Sequence, residues 1–258
     1  MELKLEGLRV VITAGGAGIG RATVEMFAGA GANVWTGDID AGALGAVLTL
    51  DGVDGQVTDV GDTDAVDAFM TTGLAALGGI DVLINMAGIA GPGGRLEDLD
   101  PADVTRTLDV DVTSMFRTSR HAIPVMKSQR SGSIINVSST AGLMGFPYRS
   151  PYAAAKFAVI GLTKTMAMEL GEFNVRVNAI CPGSISGPRM DHVVDLESEA
   201  SGKSAEEVRD GYVKQVSMQT FVEAEEIAQT IAFLVSPLGA KISGQALAVD
   251  GNSETLRT

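Results

Sequence analysis

The chain has 258 residues, two histidines, one cysteine and a net charge of −13, from 19 Lys+Arg against 32 Asp+Glu. That length suits one large domain with a complete core. The charge disfavours nucleic-acid phosphates and anionic membrane surfaces. The lone Cys181 excludes an internal disulfide framework, and with His121 and His192 it makes no His/Cys metal cluster.

No apolar run approaches the roughly 20 residues of a spanning helix. Met1-Glu2-Leu3-Lys4 offers neither the basic region nor the apolar core of a secretory signal. The expectation is a soluble, cytoplasmic protein without metal, nucleic-acid or membrane partners. Its 32 glycines amount to about 12% of the chain, against a usual level of roughly 7%. With few aromatics, this points to tight βα turns.

Short apolar, β-branched runs predict strands over residues 8–13, 33–36, 56–58, 81–85, 133–138, 175–181 and 246–249. They do not alternate with polar residues, as expected of strands covered on both faces. Helical periodicity fills the intervals. Over 62–77, Val66, Phe69, Met70, Gly73, Leu74 and Leu77 share one face. Asp100 before Pro101, and Ser150 before Pro151, read as N-caps followed by a first-turn proline. The alternation predicts an α/β fold, a doubly wound seven-stranded parallel sheet in a single domain over 1–258. Residues 184–222 break the rhythm with polar, helix-prone sequence and no strand. Placed at the carboxyl edge of the sheet, they read as a helical lid over a ligand crevice, or else as a surface excursion or subunit contact.

The first strand runs into Thr13-Ala14-Gly15-Gly16-Ala17-Gly18-Ile19-Gly20 and then a helix. Glycines there let backbone N–H groups and the helix N-terminus approach a pyrophosphate, though the pattern also suits an ordinary tight turn. The second strand leads into Asp38, eighteen residues beyond Gly20. A carboxylate at that place accepts ribose hydroxyls and repels a 2′-phosphate, which favours NAD over NADP. The plainer role for Asp38 is a helix N-cap.

Tyr152 and Lys156 stand four apart on one helix face. A phenol titrates near pH ~10, and a neighbouring ammonium with a positively charged nicotinamide ring brings it towards use as a base at neutral pH. Ser139 ends the fifth strand, where its hydroxyl can hold a substrate oxygen or simply close a turn.

These motifs, with Asp59-Val60, Asn85-Met86-Ala87-Gly88 and Pro182-Gly183, resemble the short-chain dehydrogenase/reductase family over essentially the whole chain. The resemblance implies a Rossmann-type fold and reversible hydride transfer between NAD and a secondary alcohol or its ketone. It implies Tyr152 as base, Ser139 and Lys156 beside it, and Asp111 at the proton-relay position. It implies cofactor contacts at Gly16, Ala17, Gly18, Ile19, Gly20, Asp38, Ile39, Asp59, Val60, Met86, Ala87, Gly88, Tyr152, Lys156, Pro182, Gly183 and Ile185. It also implies a homo-oligomer, commonly a tetramer, built on helices around 103–126 and 152–170, although ordinary core accounts equally for those apolar faces.

Four positions depart from the family pattern: Ala14 for its first glycine, Met86 for an asparagine, Gly187 for a threonine and Asp111 for the relay asparagine. An alanine is costly at position 14 if φ is positive there. Gly187 shifts the expected carboxamide contact to Ser186, backbone or water. The departures at Ala14, Met86 and Asp111 suit an alternative, a non-catalytic nucleotide-binding sensor or scaffold. Leu143, Met144, Phe146 and Tyr148 suggest an apolar substrate wall. Arg149 and Arg189 can meet a substrate carboxylate or remain solvated or structural.

Overall fold

The computed structural model describes residues 3–253, and the backbone alone at 189, 192, 196, 197 and 199–201. Seven strands form one parallel sheet in the order β3-β2-β1-β4-β5-β6-β7. They are β1 (Arg9–Thr13), β2 (Asn33–Asp38), β3 (Val53–Val57), β4 (Val82–Asn85), β5 (Gly132–Val137), β6 (Val175–Pro182) and β7 (Ala246–Val249). The order reverses between β1 and β4, so a crevice opens beyond their carboxyl ends.

Side chains alternate across the sheet plane, and both faces are covered. On β1, Val10 and Ile12 face a core shared with α1 (Gly18–Gly29) and α9 (Ala224–Val235), where Phe27 and Ile231 are buried. Val11 faces the opposite core, with Phe69 of α3 (Thr63–Leu77), Met126 of α5 (Ser114–Gln129) and Leu170 of α6 (Ser150–Leu170). Burial of each such side chain contributes about 1.5–3 kcal/mol.

The two edge strands depart from the expectation. β3 starts at Val53 and includes Asp54 and Gly55, poor strand formers recruited by pairing with Val34 to Asp38 of β2. It leaves Val57 exposed, as β7 leaves Leu247. Each has a neighbour on one side only, and their side chains are only partly covered, so two-face burial holds for the inner strands.

Helix starts follow local chemistry. Asp62 caps α3, and Asp100 caps α4 (Pro101–Leu108) through the N–H of Ala102. At α6 the cap is Arg149; Ser150 is already the first helical residue and does not cap. A π-helical turn, Asp109–Thr113, joins α4 to α5. Residues 184–222 hold α7 (Pro188–Ser201) and α8 (Ala205–Val213), which share a small core of Met190, Val194 and Val208. Among the described residues, their β features are two isolated bridges, Ile185 to Val222 and Val216 to Ser253. Among the described residues, no helix is long and apolar enough to cross a membrane.

Candidate active site

The glycine turn packs too closely for side chains. A Cβ on Gly20 would lie 1.9 Å from the Ala14 carbonyl oxygen, and one on Gly16 would lie 2.9 Å from the backbone of Ala43. Gly18 has φ +51° with open space around it. Ala14 does take positive φ, +56°, so this chain carries backbone strain where glycine would relieve it. Asp38 is half-buried at the end of β2, and its carboxylate accepts from the Gly16 N–H at 2.9 Å and the Asp40 N–H at 3.0 Å. The helix-capping role instead belongs to Asp40, which accepts from Gly42 and Ala43 at the start of α2 (Ala41–Val47). Ile39, beside it, is 64% exposed.

Two polar groups that sequence reasoning missed fix the next loop. Thr13 Oγ1 accepts from the N–H groups of Met86 and Ala87 at 3.0 and 3.2 Å, tying β4's exit to β1. A buried chain runs Thr118, Asn85, Asn136, Thr163, each link between 2.6 and 3.0 Å. It locks the ends of β4 and β5 against α5 and α6, and every unpaired member would cost about 1–3 kcal/mol. Neither feature has a sequence signature, because the partners lie far apart in the chain. Val60 is buried, and Asp59 accepts from the Gly61 N–H and from Arg106. Burial penalises the Asp59 carboxylate, but those donors more than offset it and hold it below the usual carboxylate range.

Tyr152, Asp111 and Lys156 meet through the lysine, and Ser139 stands at the start of the turn that follows β5. Ser138 Oγ donates to the Lys156 carbonyl at 2.8 Å, which seats the strand-end serines on α6. Ser139 Oγ accepts from the Ala141 N–H at 3.2 Å. Lys156 is 4% exposed, with Nζ 5.4 Å from the centre of the Tyr152 ring and 3.3 Å from the Val137 carbonyl.

Asp111 is fully buried in the π-helical turn. Its Oδ1 accepts from the Ile89 N–H at 2.7 Å, and its Oδ2 lies 3.2 Å from Lys156 Nζ. Oδ2 has no well-aligned hydrogen bond, so the lysine contact is an ion pair. A Cβ on Gly88 would meet the Lys156 ammonium at 3.0 Å, which keeps that loop backbone against the pair.

The far wall follows β6. Gly183 passes so close to Asp250 that a Cβ would lie 2.7 Å from its side chain. Ile185 pairs with Val222, and the Ser186 hydroxyl donates to Glu223 at 2.8 Å. That occupies the proton Ser186 was expected to offer a carboxamide. Gly187 takes φ +128°, a conformation that a threonine would adopt only under strain. Cys181, before Pro182, is fully buried, and burial pushes its thiol up to about 11. A cavity of about 500 Å³ lies between residues 140–147 and the 184–222 segment, lined by Met144, Phe146, Tyr212 and Val216 among others. Met144 and Phe146 therefore meet it, whereas Leu143 and Tyr148 do not line it. The Arg189 side chain lies outside the described residues. Among the described residues, no cluster of His, Cys, Asp and Glu is arranged to hold a metal ion.

A family profile described as enoyl-(acyl carrier protein) reductase matches residues 13–252, taking in the turn, the Ser-Tyr-Lys group and β7. The chain belongs to the short-chain dehydrogenase/reductase family. It is 36% identical to the 3-oxoacyl-[acyl-carrier-protein] reductase of Thermotoga maritima, over 96% of this chain and 98% of that one. Among solved structures, an NAD⁺-bound xylitol dehydrogenase has a TM-score of 0.90 at 30% identity, covering 96% of this chain and 100% of its own. A polyketide ketoreductase with NADPH also reaches 0.90, at 28% identity, over 95% and 96% of the two chains. These relatives establish an oxidoreductase acting on alcohol or carbonyl groups with a nicotinamide cofactor.

Proposed function

We propose that this chain is an NAD-dependent dehydrogenase of secondary alcohols, reversible towards the ketone, with Tyr152 as its general base and acid. The observation that carries this reading is the placement of the buried Lys156 ammonium 5.4 Å from the Tyr152 ring, beside the Ser138-Ser139 strand end. The turn fits a dinucleotide: Gly18 leaves open space at the start of α1, while Gly16 and Gly20 let the turn pack tightly on the backbone of Ala43 and Ala14. When bound, the nicotinamide supplies the hydride acceptor for oxidation and the donor for reduction.

On this reading Ser139 Oγ holds the substrate oxygen, Tyr152 Oη takes the hydroxyl proton, and Lys156 sets its ammonium beside the ring. Asp59 and Val60 flank the adenine. Gly88 and its neighbours Met86 and Ala87, with Pro182, Gly183 and Ile185, line the nicotinamide end, and α7 and α8 cover the substrate as a lid. NADH formation with a panel of secondary alcohols tests the dehydrogenase against a non-catalytic sensor with the same fold; absence of turnover with every alcohol and ketone favours the sensor.

Preference for NAD rests on Asp38. Residues 39–43 contain no lysine or arginine to meet a 2′-phosphate, and Asp40 adds a second carboxylate. Asp38→Ala should lower the NAD:NADP ratio of kcat/KM by about 10- to 100-fold, the worth of a charge-assisted hydrogen bond. Parent kcat/KM values equal for the two cofactors, or higher with NADP, would overturn the preference.

The lone buried Cys181 suits a cytoplasmic setting. Leu108, Phe116 and Phe157 leave apolar surface on α4, α5 and α6, which supports a homotetramer. Light scattering should then give about four times the 26.6 kDa chain mass; a monomeric mass at micromolar concentration would exclude it.

A further inference from the structure

The cavity between residues 140–147 and the 184–222 segment begins one residue beyond Ser139, at Thr140 and Ala141. Neither Ser139 nor Tyr152 is fully buried. Met144, Phe146, Pro147 and Val216 supply apolar wall, and Tyr212 and Gln215 supply polar groups. Among the described residues, none that lines the cavity is charged.

That neutrality contrasts with the sequence around it. Glu206, Glu207, Arg209, Asp210 and Lys214 all fall within residues 206–215. Arg209 pairs with Asp191, Asp210 pairs with Lys214, and Glu207 closes the capping box with Ser204. Tyr212, Gln215 and Val216 stand three and four residues apart, on the side of this turn that meets the cavity. The charges lie elsewhere and are spent on one another.

Two charged groups stand behind the wall. Arg149 does not line the cavity: its Nη2 donates to the Ala90 carbonyl at 3.2 Å and its Nε is buried. Asp250 accepts from the N–H of the lining residue Ser253 at 3.1 Å, which sets a carboxylate there. An anion entering the cavity would lose water and gain no counter-charge, in a chain of net charge −13. Gln215 adds to this. Its Nε2 donates to the Gly211 carbonyl at 3.0 Å; a carbonyl only accepts, so the amide nitrogen is committed and Oε1 is left as an acceptor.

We propose that this cavity selects uncharged substrates and that Gln215 sets the selectivity, its Oε1 accepting from a neutral donor and repelling an anion. This rests on the dehydrogenase reading above and names its substrate class, neutral alcohols and ketones in preference to hydroxy acids and keto acids.

Calorimetry on the enzyme–NAD complex tests it with cyclohexanecarboxamide and cyclohexanecarboxylate, unreactive probes of nearly equal shape. The carboxamide should bind about 10- to 100-fold more tightly. Gln215→Arg brings a counter-charge to the same wall and should turn the preference towards the carboxylate by a similar factor. Gln215→Glu should instead admit cyclohexylmethylammonium, which the parent excludes. Gln215 is exposed, so both variants should melt with the parent.

A parent that binds the carboxylate as tightly as the carboxamide, or binds neither, overturns the proposal. A carboxamide preference that survives Gln215→Arg unchanged overturns the role given to Gln215. None of these readouts needs turnover. Carboxamide binding without oxidation of any neutral secondary alcohol would sink the dehydrogenase reading and leave the selectivity standing, so the two fail separately.

Discussion

Replacing Tyr152 by phenylalanine should lower kcat by about 10²- to 10⁴-fold, the usual contribution of a positioned general acid or base, while NAD still binds. The substitution keeps the ring that the Arg149 and Lys156 cations both approach and removes only the hydroxyl. Among the described residues, no group hydrogen-bonds to that hydroxyl, so its loss leaves no buried partner stranded and the fold should be undisturbed. Calorimetric titration with NAD should therefore give a dissociation constant close to the parent's. Turnover at the parent rate would remove Tyr152 as the base. Loss of NAD binding along with turnover would mean the residue supports the cofactor site rather than the proton transfer.

Much of this site was legible because its determinants are local. The turn from Thr13 to Gly20 is one continuous stretch, and Tyr152 and Lys156 meet through helical spacing alone. Inner strands read well because covering on both faces leaves unbroken apolar runs. β3 was misread because its strand state comes from pairing with β2, not from Asp54 and Gly55 themselves. Thr13 as a clamp on β4 and the Asn85–Asn136 link depend on neighbours 73 and 51 residues away, where no periodicity reaches. Ser150 illustrates the opposite failure: Ser-Pro has the sequence of a cap, yet the helix begins one residue earlier and the hydroxyl caps nothing.

Asp111 yields the sharpest test of how the chain departs from its family. Its carboxylate is fully buried against Lys156, itself 4% exposed, with 3.2 Å between charged atoms. Asp111→Ala removes the counter-charge and the acceptor of the Ile89 N–H together. Breaking a buried pair from one side typically costs about 3–5 kcal/mol, so the melting temperature should fall on the order of 10 °C.

Asp111→Asn is the informative companion. An amide oxygen still accepts from Ile89, and the π-helical backbone carbonyl remains available to a relay water. Turnover at its optimum should then stay within about fivefold, or roughly 1 kcal/mol. What changes is the field at Tyr152. With the carboxylate gone, the Lys156 ammonium beside the Tyr152 ring loses its buried counter-charge, and the rise of kcat with pH should move to lower pH. If Asp111 only holds the 88–89 loop, the variant loses amplitude and the profile stays where it was. Measuring kcat against pH at saturating NAD separates these outcomes: a profile that stays fixed or moves upward makes Asp111 a structural anchor, and one that moves downward makes it the group that tempers the lysine beside Tyr152.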